Sequence, residues 1–198
     1  MATPAIGAAL DTRAISALKD QRQDIAAKIS GPFNAPHVEA NILIEDVRNA
    51  LFVGMLCAYT QGMNVIVAAS QTYDWGLQIH EILRIWRGGC IIRGDILEPL
   101  RRAYARSPEL STLLLDDYVA AEISIRHGAL RRVTTLAIAS GLPCPALTSS
   151  ISYLDSMRCT VLPTNLIQAQ RDFFGAHMYE RTDVPGKFHT HWQDNVEG

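Results

Sequence analysis

Asn49–Tyr73 reads NALFVGMLCAYTQGMNVIVAASQTY, twenty-five residues without a charged side chain. A run of that length can span a bilayer or fill the middle of a helical domain. Thr60, Gln61, Asn64, Ser70 and Gln71 lie inside it. Hydrocarbon penalises such groups, so the run predicts a buried helix and no membrane span. Ala50, Gly54, Ala58 and Gly62 recur every four residues on one slowly drifting face, with Leu51, Met55 and Val65 supplying bulk nearby. This is the pattern of a central helix wrapped by others. Glycine inside a helix costs about 1 kcal/mol relative to alanine, so close packing along the stripe is expected to offset it.

Outward from that run the chain punctuates itself. Ala2–Ser30 predicts one helix, with Thr3 as N-cap and Pro4 in the first turn. Gly31-Pro32 stops it. Pro36 and His37 lead into the central helix, roughly 35 residues long and ending near Asp74-Trp75-Gly76. Shorter helices are predicted over Ile79–Arg87, Gly94–Ala105, Asp117–Ser140, Ala146–Met157 and Asn165–Glu180. Gly88-Gly89 and Gly141-Leu142-Pro143 break the chain between them. Thr164 or Asn165 caps the last helix. After Glu180 the helical period vanishes, and Asp183-Val184-Pro185-Gly186 forms a turn. The expected fold is all-α: several helices around a long central one, with an extended C-terminal tail. The expected division is a helical domain over residues 1–182 and a tail over 183–198.

Composition narrows the function. At 198 residues and 48% apolar content the chain can bury one core. A net charge of −2 offers no field for nucleic acid. Arg101-Arg102 and Arg131-Arg132 read as solvated or ion-paired helix faces. Cys57, Cys90, Cys144 and Cys159 are widely spaced in apolar settings, which predicts reduced thiols rather than disulfides or zinc. No basic stretch followed by an apolar run opens the chain, so no signal peptide is expected, and the location is expected to be cytoplasmic. His177, His189 and His191 lack the carboxylate or cysteine spacing that would complete a metal site.

Ile151–Glu180 contains Gln168-Ala169-Gln170-Arg171-Asp172-Phe173-Phe174-Gly175-Ala176-His177. This stretch resembles the C-terminal active-site signature of the 6-phosphogluconate dehydrogenases. Ile6–Lys19 (IGAALDTRAISALK) resembles that family's helix with an active-site arginine, here Arg13. Trp86–Arg93 (WRGGCIIR), Ser107–Asp117, Leu130–Pro145 and Pro185–Trp192 follow in family order. Gly54-Met55 departs from the family's usual serine and lysine, and His191 from its usual asparagine.

The resemblance implies an NADP-dependent oxidative decarboxylation of 6-phosphogluconate, carried out by a homodimer. It assigns the substrate phosphate to Arg13 of one subunit and Arg171 of the other, with His177 also reaching the substrate across the interface. Arginine suits the task because its planar fork donates two charge-assisted hydrogen bonds to a phosphate. His177 follows Arg171 by six residues, about 240° of ideal helix. The two would therefore point apart unless the helix loosens near Gly175. The family's lysine base, glutamate acid and NADP-binding glycine turn all match sequence upstream of anything in this chain, and no GxGxxG turn occurs here. The chain alone is therefore expected to lack dehydrogenase activity and an NADP site. A separately supplied N-terminal half is one implied partner. A non-enzymatic dimerisation or sugar-phosphate-binding module derived from the family is the alternative.

Overall fold

The computed structural model describes residues 1–32 and 36–192. The expected tail of 183–198 therefore extends beyond the described residues at its last six positions. Eight α-helices are present among the described residues: α1 (Pro4–Ser16), α2 (Lys19–Ala26), α3 (Ala40–Thr72), α4 (Ile79–Arg87), α5 (Leu97–Arg106), α6 (Asp117–Ala139), α7 (Pro145–Met157) and α8 (Asn165–Gly175). A 3-10 turn over Leu113–Leu115 precedes α6. Two short strands, β1 (Tyr179–Glu180) and β2 (Lys187–Phe188), pair antiparallel with Tyr179 opposite Phe188 and Glu180 opposite Lys187. The chain divides into two compact units, Met1–Asp155 and the residues from Ser156 onward.

α3 is the long central helix of the first unit, 33 residues or roughly 50 Å. It carries two cores. Leu56 and Met63 pack with Leu83 of α4 and with Leu97, Leu100 and Tyr104 of α5. Ala50, Val53 and Cys57 pack with Leu130 of α6 and with Ile151 and Leu154 of α7. Burial is one-sided, since Leu51, Met55 and Val65 stay exposed. By length and composition α3 could cross a membrane. Its polar Thr60, Gln61 and Asn64 nonetheless face inward, and Gln61 Oε1 accepts the Ala5 N–H at 3.0 Å.

The small-residue stripe is used at one end only. A Cβ on Gly54 would stand 2.7 Å from Leu147 Cδ2, whereas a Cβ on Gly62 would meet nothing within 4 Å. Close approach to α7 therefore explains Gly54 and leaves Gly62 without a packing reason inside the unit.

The expected first helix over Ala2–Ser30 is instead two helices, broken at Ala17 and Leu18. Ser16 Oγ donates to the Arg13 carbonyl at 2.8 Å, and the next two N–H groups tighten onto carbonyls three residues back. A serine hydroxyl competes in this way with the helical ladder. Thr3 takes the cap position without a side-chain cap bond. α5 begins at Leu97 rather than Gly94. α6 starts where Asp116 accepts the Val119 N–H at 3.2 Å and the Arg106 guanidinium at 2.6 Å. It ends at Ala139, and two residues on Gly141 turns the chain with a φ of +65° and a contact with the Pro32 ring that leaves no room for a Cβ.

Candidate anion-binding site

The second unit is built around α8 and the strand pair. Thr164 stands at the N-cap of α8, again without a side-chain bond. The helix ends at Gly175, five residues short of the expected Glu180, because Ala176 turns left-handed at φ 50° and donates its N–H to the Asp172 carbonyl at 2.9 Å. Met178 follows at φ 62°. His177 thus sits between two left-handed residues on a turn beyond the helix end, where the ideal helical rotation from Arg171 no longer applies.

Gln168 joins the two candidate residues. Its Oε1 accepts Arg171 Nη1 at 3.2 Å, and its Nε2 donates to the Met178 carbonyl, next to His177. His177, Gln168, Tyr179, Glu180 and Lys187 line an open cleft of about 340 Å³. The His177 ring folds back over Gly175, where a Cβ would stand 3.2 Å from Nε2. Lys187 enters this cleft because strand pairing sets it opposite Glu180. Nothing in the sequence marks that register, since two-residue strands carry no alternation to read.

Asp172 is the other residue that sequence reasoning passes over. It is fully buried, and its carboxylate accepts four hydrogen bonds: Met178 N–H at 2.9 Å, His189 Nδ1 at 2.9 Å, Thr190 N–H at 3.0 Å and Trp192 Nε1 at 3.0 Å. Burial works to raise its carboxyl, but the donors, Thr190 and His189 first, outweigh burial and hold it well below the usual carboxylate range. An ionised carboxylate only accepts, so the His189 proton on this side resides on Nδ1.

Arg13 belongs to the first unit. It lies exposed in the last turn of α1, beside an apolar groove of about 490 Å³ that Ile6, Leu10, Met55 and Leu147 also line. Arg171 stands on α8 and His177 on the turn that follows it, with Gln168 bonded to Arg171 and to the Met178 carbonyl, and Arg13 is described separately.

Most of the arginines are committed to charge pairs, whereas Arg13 and Arg171, like Arg22 and Arg93, make none among the described residues. Among the described residues at least ten of the fifteen arginines are ion-paired to carboxylates. Glu98, for example, takes the guanidinium groups of Arg101, Arg102 and Arg87, which hold its carboxyl down at about 2. Among the described residues Arg13 and Arg171 have no carboxylate partner, and Lys187 has none either. Cations left without a carboxylate partner are available to an external anion.

The described residues do not fit a dinucleotide. Their single sheet is one antiparallel pair of two-residue strands, without the parallel βαβ unit that holds a pyrophosphate at a helix N-terminus. No group of three His, Cys, Asp or Glu side chains among them could hold a metal ion. All four cysteines are free thiols.

Comparison with known proteins agrees with the motifs. Residues 1–192 match the family model described as 6-phosphogluconate dehydrogenase, C-terminal domain. The chain belongs to the 6-phosphogluconate dehydrogenase C-terminal domain family. It is 50% identical over 194 residues to the 6-phosphogluconate dehydrogenase, decarboxylating 1, of Oryza sativa subsp. japonica, covering 97% of this chain and 40% of the relative. It is 50% identical over 190 residues to the NADP(+)-dependent, decarboxylating enzyme of Bacillus subtilis, covering 96% of this chain and 40% of the relative. A solved structure of Plasmodium falciparum 6-phosphogluconate dehydrogenase, studied in its apo form, with NADP+ and with 6-phosphogluconate, superposes with a TM-score of 0.88 at 37% identity. That match covers 96% of this chain and 41% of the other. The chain thus spans about two fifths of the length of these relatives.

Proposed function

We propose that this chain supplies the substrate-phosphate side and the dimerisation half of an NADP-dependent 6-phosphogluconate dehydrogenase, and that by itself it is catalytically incomplete. The observation that carries the reading is the Arg171–Gln168–His177 constellation on the α8 turn, with Arg171 free of any carboxylate partner among the described residues. In this reading Arg171 and His177 of one subunit and Arg13 of the other converge on the phosphate of 6-phosphogluconate. NADP and the base–acid pair come from sequence outside these residues, in the same polypeptide or in a separate N-terminal half. No hydride or decarboxylation step is assigned to the residues described here. A cytoplasmic location belongs to the same reading.

Homodimerisation is supported by apolar side chains left facing solvent. On α8, Leu166 is 74% and Phe174 80% exposed. Patches of this kind mark association surfaces.

The test is calorimetric titration of the purified chain with 6-phosphogluconate and with NADP, together with an assay of NADPH formation with and without a supplied N-terminal half. Binding of 6-phosphogluconate that weakens in Arg171→Lys supports the reading, because the charge stays and the fork is lost. Tight stoichiometric NADP binding, or affinity unchanged in Arg171→Lys, contradicts it. Phosphate-ester binding without activity even beside a functional N-terminal half would favour the second reading, a non-enzymatic sugar-phosphate-binding module.

A further inference from the structure

We propose that Asp172 is a positioning residue that fixes His177 for ligand binding by anchoring the backbone on both sides of it; this rests on the reading of His177 as a ligand-binding residue given above. The main-chain carbonyl of Asp172 takes the N–H of Ala176, and its side chain takes the N–H of Met178, each at 2.9 Å. The residue between those two bonds is His177. One side chain and one carbonyl of a single residue therefore bracket the imidazole.

The bracket is needed because the turn is strained. Ala176 and Met178 both carry a Cβ and both hold positive φ, at 50° and 62°. Left-handed backbone of this kind is disfavoured for such residues, and it persists only where surrounding bonds over-determine it. Without the Met178 N–H bond only the Gln168 bond to the Met178 carbonyl and the Ala176 bond still hold the turn, too few to keep the ring fixed over Gly175. Arg171, the next residue back, shares the helical turn that presents Asp172. Placement of the guanidinium and placement of the imidazole are thus set by neighbouring residues of one signature.

Asp172 also holds the tail, through Thr190, His189 and Trp192. A purely structural anchor would serve the tail alone, and substitution separates the two roles. Trp192→Phe removes a tail donor and leaves the Met178 bond. It is expected to lower the thermal midpoint while changing 6-phosphogluconate affinity less than twofold. Met178→Gly leaves the carboxylate and relieves the strain. It is expected to keep or raise the midpoint and to change binding less than twofold, because the bond from Asp172 to the residue 178 N–H survives. Asp172→Asn leaves one oxygen for four donors and is expected to weaken binding at least tenfold.

The measurements are calorimetric titration with 6-phosphogluconate and with inorganic phosphate on the full chain, and NMR of the His177 ring without ligand. His177 signals that shift or broaden in Asp172→Asn, and stay put in Trp192→Phe and Met178→Gly, support the positioning role. Wild-type His177 signals and wild-type affinity in Asp172→Asn overturn it. If Asp172→Asn fails to fold, Asp172→Glu, which keeps the charge and displaces the carboxylate, is read in the same way. If the wild-type chain binds neither ligand, the functional reading fails, and the ligand-free spectra still decide whether Asp172 positions the ring.

Discussion

Asp46 on α3 and Arg132 on α6, 86 residues apart, meet fork to fork: Arg132 Nη2 lies 2.6 Å from one carboxylate oxygen and Nε 2.8 Å from the other. The pair ties the first turns of the central helix to the middle of its longest neighbour. The guanidinium bonds hold the Asp46 carboxyl below its ordinary range, against a smaller opposing effect of burial. Arg132→Lys keeps the charge and loses the fork, and is expected to cost about 0.5–1 kcal/mol of stability in urea unfolding. With Asp46→Ala already in place, Arg132→Lys is expected to add almost nothing. Fully additive costs would mean that the pair contributes no coupling.

Gly62→Ala tests the small-residue stripe. A Cβ at 62 meets no atom within 4 Å in the unit, so alanine is expected to add about 0.5–1 kcal/mol through helix propensity. At 54 the Leu147 methyl must move aside, and the gain from Gly54→Ala is expected to be smaller. Chemical denaturation of both variants at low protein concentration decides. Loss of stability at 62 would place another surface on that face.

Burial pushes the Cys57 thiol up to about 12, against a weaker opposing bond to the Ser150 carbonyl. Above the ordinary thiol range the unfolded chain loses this proton while the folded chain keeps it. The folded state then binds more protons, so stability falls as pH rises from about 8.5 towards the folded value. The expected slope for one proton is about 1.4 kcal/mol per pH unit. Tyr104, also pushed up to about 12 by burial, and Tyr153 act in the same sense at higher pH. Urea unfolding between pH 7.5 and 9.5 should show the decline in the wild type and a flatter profile in Cys57→Ala. Equal profiles would refute a buried thiol at this position.

Phe174→Glu tests assembly. The ring is 80% exposed and touches Phe173 edge-on within its own unit. Light scattering is expected to show a dimer for the wild type and at least tenfold weaker association for the variant. The thermal midpoint at low concentration should change little, as for surface substitutions generally. A monomeric wild type, or an unaffected dimer in the variant, contradicts the proposed assembly.

Much of the fold was legible in the sequence where one local rule acted alone. Ile79 and Leu83 recur at helical spacing between polar neighbours, and Gly88 follows, so α4 is readable at both ends. Asn49–Tyr73 declares α3 through the absence of charge. Legibility fails where a side chain competes with its own backbone, as Ser16 does in splitting the first helix. It fails again where distant residues override propensity. Ala176 favours helix, yet bonds to Asp172 hold the turn beyond it left-handed. In the candidate site, Arg171 and His177 are readable as a motif. Their connection through Gln168, the entry of Lys187 and the burial of Asp172 depend on tertiary bonds that no periodicity encodes.

The four-donor shell of Asp172 carries a rule about the order of assembly. Synthesis runs from the N-terminus, so Arg171, Asp172 and His177 leave the ribosome before His189, Thr190 and Trp192 exist. A nascent chain ending at Lys187 would hold every residue of the signature around a carboxylate still waiting, in water, for three of its donors. The Asp172 carboxylate is therefore fully satisfied only once residues 189–192 have been made. A frameshift or early stop after Lys187 would leave that carboxylate without three of its donors although its own codon is intact.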